Sequence, residues 1–419
     1  MKKPHSTITV LALLLASNLL ASTSSLAQTP PAASPKGVAS TLQPFIDSHV
    51  LAGAVTLVAS KDKVLSLEAV GYADIAAKKP MRTDNLFWIA SMTKPITATA
   101  LMMLVDEGKV NVDDPVEKYL PEFHGQMVIA EHDADHMLLK RPKRPISIKD
   151  ILTHTSGLLY KSPIQQPTLD LFPLGTRVRS YAMLPLQFEP GSKSLYSSAG
   201  INTAARIIEV VSGMPYEEFL DKRLLVPLGM KDTTFWPSSS QLQRLAKSYK
   251  PNADKTGLDE TPISQLQYPL DDHQRQPVPG SGLFSTATDI SRFCRMIFNG
   301  GELEGKRYLS EQSVHQMTSC QTGESLPPYG LGWETGRKPG SPIGHGGSYQ
   351  THMRIAPEHQ LITVFLVQQA AWGSREGVRL FPEFQQAATN AFGILPPAHA
   401  AIRPIPEAKG ACIRPNTSW

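Results

Sequence analysis

Strand-forming segments cluster near the two ends of this 419-residue chain and are sparse in its middle. Residues 52–60 and 64–70 are β-prone runs around the polar Lys61-Asp62-Lys63, a hairpin pattern. Residues 351–355 and 361–367 repeat it near the other end, split by a turn at Pro357-Glu358. A small further hairpin is expected from 127–131 and 137–140, with His132-Asp133-Ala134-Asp135 between its strands. The segments between read as helices. One covers 91–107, with Ile96, Ala100, Met103 and Leu104 on one face and Gly108 as its stop. Another carries Ile201, Ala205, Ile208 and Val211 and ends at Gly213. A helix around Leu42, Phe45 and Ile46 precedes the first strand, and one over 376–392 follows the last. These placements predict an α/β (α+β) chain: one antiparallel sheet of N- and C-terminal strands, flanked by helices, with a mostly helical region of about 91–300 inserted.

The two ends lie outside this core, which spans 41–393. Lys2 and Lys3 precede an apolar run over 8–21, and Ser25-Leu26-Ala27 supplies small residues for cleavage before Gln28. Residues 1–27 are therefore expected to be a secretory signal, with the mature protein exported to the periplasm or secreted. The run is shorter than the roughly 20 residues that span a bilayer, so no stable membrane anchor is expected after cleavage. Residues 28–40 read as a flexible leader rich in Pro, Ala and Ser, and 394–419 as a Pro-rich tail.

Charge excludes one class of partner. The formal net charge of +4 falls to +2 once the two signal lysines are removed, and no clustered basic patch points to nucleic acid. His132, Asp133, Asp135 and His136 fall at an exposed hairpin tip with no further ligand implied, so no metal or other cofactor is expected. Cys294, Cys320 and Cys412 allow at most one disulfide, and the sequence does not choose the pair. It specifies no oligomeric state either.

Ser91-Met92-Thr93-Lys94 stands where a β-prone region hands over to the first long helix. Residues three apart share a helix face, so the Lys94 ammonium can reach the Ser91 hydroxyl. Free N–H groups at a helix start stabilise an alkoxide or oxyanion, and a weak serine nucleophile needs a neighbouring base. Four residues alone are a weak signal: Ser60-Lys61-Asp62-Lys63 has the same pattern in a turn with no helix to orient it.

Two more segments raise the specificity. Tyr196-Ser197-Ser198 opens the Ile201 helix, and His345-Gly346-Gly347-Ser348 precedes the last strand pair. In order and spacing the three motifs resemble the serine β-lactamase and penicillin-binding family, particularly its class C, DD-carboxypeptidase and family VIII esterase branch. Ile151-Leu152-Thr153-His154-Thr155-Ser156-Gly157-Leu158 is similar to a family signature. So are Gly282-Leu283-Phe284-Ser285-Thr286 with Asp289, and Tyr329-Gly330-Leu331-Gly332-Trp333. No Gly-x-Ser-x-Gly elbow of the α/β-hydrolase type occurs.

The resemblance implies Ser91 as acylated nucleophile and Lys94 with Tyr196 as the base system, without saying which carries the proton. It implies an oxyanion hole from the N–H groups of Ser91 and Ser348, with Ser198, His345, Gly346 and Gly347 contacting substrate. His154 reads as structural. Ser198 stands where most relatives carry Asn, and His345 where many carry Lys. A serine hydroxyl lacks the paired donor and acceptor of an amide, and His lacks a permanent cation for a β-lactam carboxylate. Both tilt the expectation towards hydrolysis of small carboxylic esters. The alternatives are a D-alanyl-D-alanine carboxypeptidase or D-amino-acid amidase on cell-wall peptides, a weak class C-like β-lactamase, and a penicillin-binding-like sensor that acylates without turnover.

Overall fold

A computed structural model describes residues 37–394. The expected signal over 1–27, most of the leader, the Pro-rich tail and Cys412 lie outside these residues. Six antiparallel strands form the main sheet: β1 (Gly53–Ala59), β2 (Val64–Asp74), β3 (Lys79–Pro80), β4 (Ile343–Gly346), β5 (His352–Ala356) and β6 (Leu361–Leu366). Their spatial order is β4-β5-β6-β1-β2-β3. The two ends of the chain thus meet at the sheet's centre, where Val55 pairs with Leu366 and Ala59 with Ile362.

Period-two alternation explains why β1 is buried throughout. Val55, Leu57 and Ala59 face the large core, whereas Ala54 and Val58 face a second one on the other side. Four helices flank the sheet or carry residues of the site: α1 (Thr93–Asp106), α2 (Ser198–Ser212), α3 (Ala287–Phe298) and α4 (Arg375–Phe392). Leu380, Phe384 and Ala388 recur at four-residue spacing on α4 and join Phe365 and Val58 in the second core. The helical middle lies on the opposite face, with Ile96 and Leu101 of α1, Ile201 and Ile208 of α2 and Phe293 of α3 in one core.

Two sequence expectations change in detail. Helix α1 is buried all round from Thr93 to Leu104, where one apolar face was expected, because it runs inside the molecule rather than over it. The expected leader ends early: residues Val38–Leu42 form a 3-10 turn with Val38 and Ala39 buried. Their N–H groups donate to the Glu68 carboxylate, each at 3.1 Å, which pins the segment to β2. The long connection over 159–186 contains a helix, Leu174–Ala182. Cys294 is buried and Cys320 half-buried, and neither is joined to the other. Among the described residues no helix is long and apolar enough to cross a membrane.

Candidate active site

Ser91 lies in a 3-10 turn, Ala90–Met92, that runs directly into α1. Ala90 has a φ of +45°, in the left-handed region that costs an alanine about 1–3 kcal/mol. Neighbouring bonds hold it there. Ile89 donates its N–H to the Leu283 carbonyl at 3.0 Å, and the Thr93 hydroxyl donates to the Ala90 carbonyl at 2.7 Å. Pro95, in the first turn of α1, lacks an N–H that would have no partner there.

Lys94 follows one turn on and is fully buried. Its Nζ lies 3.1 Å from Ser91 Oγ and donates to the Gly280 carbonyl at 2.7 Å. Removal from water outweighs the favourable charge of Glu334 and brings the Lys94 ammonium down to about 7. The second Ser-x-x-Lys contrasts with it. Ser60 Oγ accepts the N–H groups of Asp62 and Lys63 in an exposed turn between β1 and β2.

Tyr196 borders the same space. Lys94 Nζ lies 4.7 Å from the centre of its ring. Burial drives this phenol well above its usual range, although 39 % of the residue remains exposed at the mouth. Tyr160 stacks against the outer side of the ring, with centroids 6.2 Å apart.

The third motif reaches the nucleophile through a packing constraint. A Cβ on Gly347 would lie 2.6 Å from the Ile89 carbonyl oxygen and 2.1 Å from Thr351 Oγ1. Only glycine lets β4 and its exit press against the turn that carries Ser91. Among the described residues, neither the Ser91 nor the Ser348 N–H finds a backbone or side-chain acceptor. Gln265 Nε2 approaches Ser348 Oγ at 3.5 Å from the facing loop.

His345 sits on β4, nearly fully buried, and both ring nitrogens are engaged. Nδ1 donates to the Gly346 carbonyl at 2.7 Å, which leaves Nε2 to accept the Tyr329 hydroxyl at 3.0 Å. Desolvation and the nearby Lys94 charge lower its pKa to about 3, so the ring is neutral at ordinary pH. A direct substrate contact through its nitrogens, as the resemblance implied, would need one of these bonds to break.

Ser198 begins α2 and is buried, and its Oγ has no hydrogen-bond partner among the described residues. A Cβ on Gly280 would lie 3.1 Å from Ser198 Cβ, so this hydroxyl borders the carbonyl that holds Lys94. Three residues were not singled out for the site from sequence: Gly280, Asn202 and Tyr329. Asn202 is a polar residue on the buried face of α2, four residues after Ser198, and that break in an apolar stripe was its signal. His132 and His136 remain far from this chemistry, on the Val128–His132/Met137–Lys140 hairpin.

A buried lysine paired with a serine at the start of a helix, beside an antiparallel sheet closed by both chain ends, marks a serine hydrolase of the β-lactamase/transpeptidase-like fold. The chain belongs to the Beta-lactamase family, whose model matches residues 38–386. Among its relatives, Protein Rv1367c of Mycobacterium tuberculosis is 36% identical over 291 residues, covering 67% of this chain and 71% of that protein. Esterase EstB of Burkholderia gladioli is 31% identical over 312 residues, covering 68% and 74%. The solved structure of EstCE1, a hydrolase with promiscuous acyltransferase activity, superposes with a TM-score of 0.71 at 25% identity, over 84% of this chain and 97% of that one.

Proposed function

We propose that this protein is an exported carboxylesterase acting on small, uncharged esters through an acyl-enzyme on Ser91. The observation that carries the reading is Lys94, fully buried between Ser91 Oγ and the Gly280 carbonyl with its pKa brought to about 7. A lysine neutral in about half of the molecules near pH 7 accepts the Ser91 proton, whereas a phenol driven upward keeps its own. Lys94 is therefore the base, and Tyr196 the donor that passes a proton to the leaving oxygen and recovers one from Lys94.

In the first step Ser91 Oγ bonds to the ester carbon while its proton goes to Lys94 Nζ. The N–H groups of Ser91 and Ser348 receive the oxyanion, each supplying roughly 2.7–4 kcal/mol in comparable sites. The carbon–oxygen bond to the alcohol then breaks, and the alcohol leaves with the proton relayed through Tyr196. Water repeats the sequence on the acyl-enzyme, giving its proton to Lys94 and releasing the acid.

Substrate preference follows from what the site offers. His345 is neutral and doubly hydrogen-bonded, so it supplies no cation for a carboxylate. Ser198 offers one short hydroxyl where an amide would grip a peptide-like group. The part-exposed rings of Tyr160 and Tyr196, stacked on each other, put apolar surface beside Lys94. The esterase name of EstB supports the same direction.

A side-by-side panel of short-chain p-nitrophenyl esters, a D-Ala-D-Ala peptide and nitrocefin tests this reading. Steady turnover of the esters above the other two is expected, and it should vanish in Ser91→Ala. Faster turnover of the peptide or of nitrocefin overturns the ester assignment, and a single stoichiometric burst without turnover points to a sensor. Export rests on the Lys2–Ala27 pattern, and a secreted product beginning at Gln28 is its check.

A further inference from the structure

His154 is bound to the irregular segment that delivers Tyr196 at two points that bracket that residue. Its own carbonyl accepts the Leu195 N–H at 2.9 Å, and its ring Nδ1 accepts the Ser197 N–H at 3.1 Å. The ring itself lies against Tyr196, with centroids 4.5 Å apart, and against Tyr329 at 4.8 Å. His154 is 2 % exposed and has a φ of +61°, a left-handed conformation uncommon among non-glycine residues.

Because Nδ1 accepts, Nε2 carries the ring hydrogen, and that N–H has no acceptor among the described residues. It is left with the flanking aromatic rings, a weak interaction at best. Burial, and after it the nearby Lys94 charge, act against a positive charge on this ring. A neutral His154 keeps Nδ1 as an acceptor; a charged one would turn a donor towards the Ser197 N–H. This residue therefore carries an orphaned donor and a strained backbone, and the bonds it makes in return converge on one neighbour.

We propose that His154 is a positioning residue for Tyr196, holding the phenol over Ser91 and Lys94 by clamping the peptide on each side of it and bracing its ring. The inference rests on the proposed role of Tyr196 as proton donor. The clamp extends along the 153–160 segment, which joins the 191–197 segment before α2 at further points. Gly191 donates its N–H to the Thr155 carbonyl at 2.8 Å, and the Ser197 hydroxyl donates to the Leu159 carbonyl at 2.7 Å.

Two substitutions separate the acceptor from the ring. His154→Phe keeps a ring and removes Nδ1; His154→Asn removes the ring, keeps an acceptor at the same distance from the backbone, and suits the left-handed conformation. With p-nitrophenyl acetate, His154→Phe should lose kcat by about tenfold or more with KM changed less than about threefold, and His154→Asn should recover most of that loss. In a Tyr196→Phe background the His154→Phe change should cost less than about twofold, since the residue it serves is gone. If His154→Phe does not fold by circular dichroism, His154→Gln, whose acceptor lies one bond too far out, replaces it in both comparisons. Unchanged kcat in the folded variant, equal loss in the Asn variant, or the same cost in both backgrounds overturns the proposal. Ser91→Ala is run in parallel. Activity remaining there overturns the nucleophile assignment itself, whereas a dead Ser91→Ala beside an unimpaired His154→Phe overturns only the positioning role.

Discussion

The side-chain oxygen of Asn202 accepts the Gly280 N–H at 3.1 Å, and the carbonyl of the same glycine accepts Lys94 Nζ at 2.7 Å. Asn202 Nδ2 in turn donates to the Tyr181 hydroxyl at 2.9 Å, which donates to Gln165 Oε1 at 2.8 Å. The lysine of the site is thus held by a buried chain that begins on α2 and ends in the loop facing the cleft.

Asn202→Ala should lower kcat by about tenfold and stability by about 1–3 kcal/mol, because it strands the buried Gly280 N–H and removes the donor to the Tyr181 hydroxyl. Denaturant melts and p-nitrophenyl acetate kinetics measure the two losses. Full activity at full stability would leave the chain without a role in holding Lys94.

Ester hydrolysis should rise through about pH 7 as Lys94 loses its proton, and flatten above it. The same shift bears on stability. Lys94 is lowered from 10.5 to about 7 on folding, so between those values the unfolded chain binds more protons and stability rises with pH. Replacing it in Lys94→Met should abolish turnover and remove this slope, of order 1 kcal/mol per pH unit. Urea melts at pH 7 and pH 9 compare the two proteins.

Gly347→Ala should depress kcat at least about tenfold and lower Tm, since its methyl would collide with the Ile89 carbonyl at 2.6 Å. The chain must open between β4 and the Ser91 turn, which moves Ser348 away from Ser91. A thermal melt with parallel ester kinetics reads both effects.

Ser198→Asn restores the amide that Ser198 lacks. The ratio of kcat/KM for nitrocefin to that for p-nitrophenyl acetate should rise by about tenfold, a value typical of one added hydrogen-bonded group. A ratio that falls or stays level would remove position 198 from the determinants of substrate choice.

Tyr329→Phe deletes the donor to His345 Nε2 and leaves that buried nitrogen unpaired. Stability should fall by about 1–3 kcal/mol. Ester turnover should change less than in Asn202→Ala, because Lys94 keeps both of its partners. The same melts and kinetics compare the two variants.

The β-prone runs over 52–60 and 361–367, each beside a turn, made these segments legible as strands of one sheet. Ser91 and Lys94 were legible as a candidate pair because spacing along a helix is a local fact, and Tyr196 and His345 through their resemblance to family motifs. Asn202, Gly280 and Tyr329 were not, since each acts through a partner at least 16 residues away in the chain. The extent of burial around α1 was also hidden, because a helix with threonines among its apolar residues reads as surface until its hydroxyls find acceptors such as the Pro279 carbonyl.

By itself the sequence determined the order of strands and helices, the serine and lysine one turn apart, and a serine where an asparagine is usual. The first two depend on neighbours within a few residues, and the third on the resemblance to a family motif. The tertiary structure decided the electrostatics. Only folding surrounds Lys94 with apolar atoms and carbonyls and lowers its pKa to about 7, and only folding fills both nitrogens of His345 and leaves that ring neutral. Desolvation depends on everything packed around a group, and those neighbours come from every part of the chain.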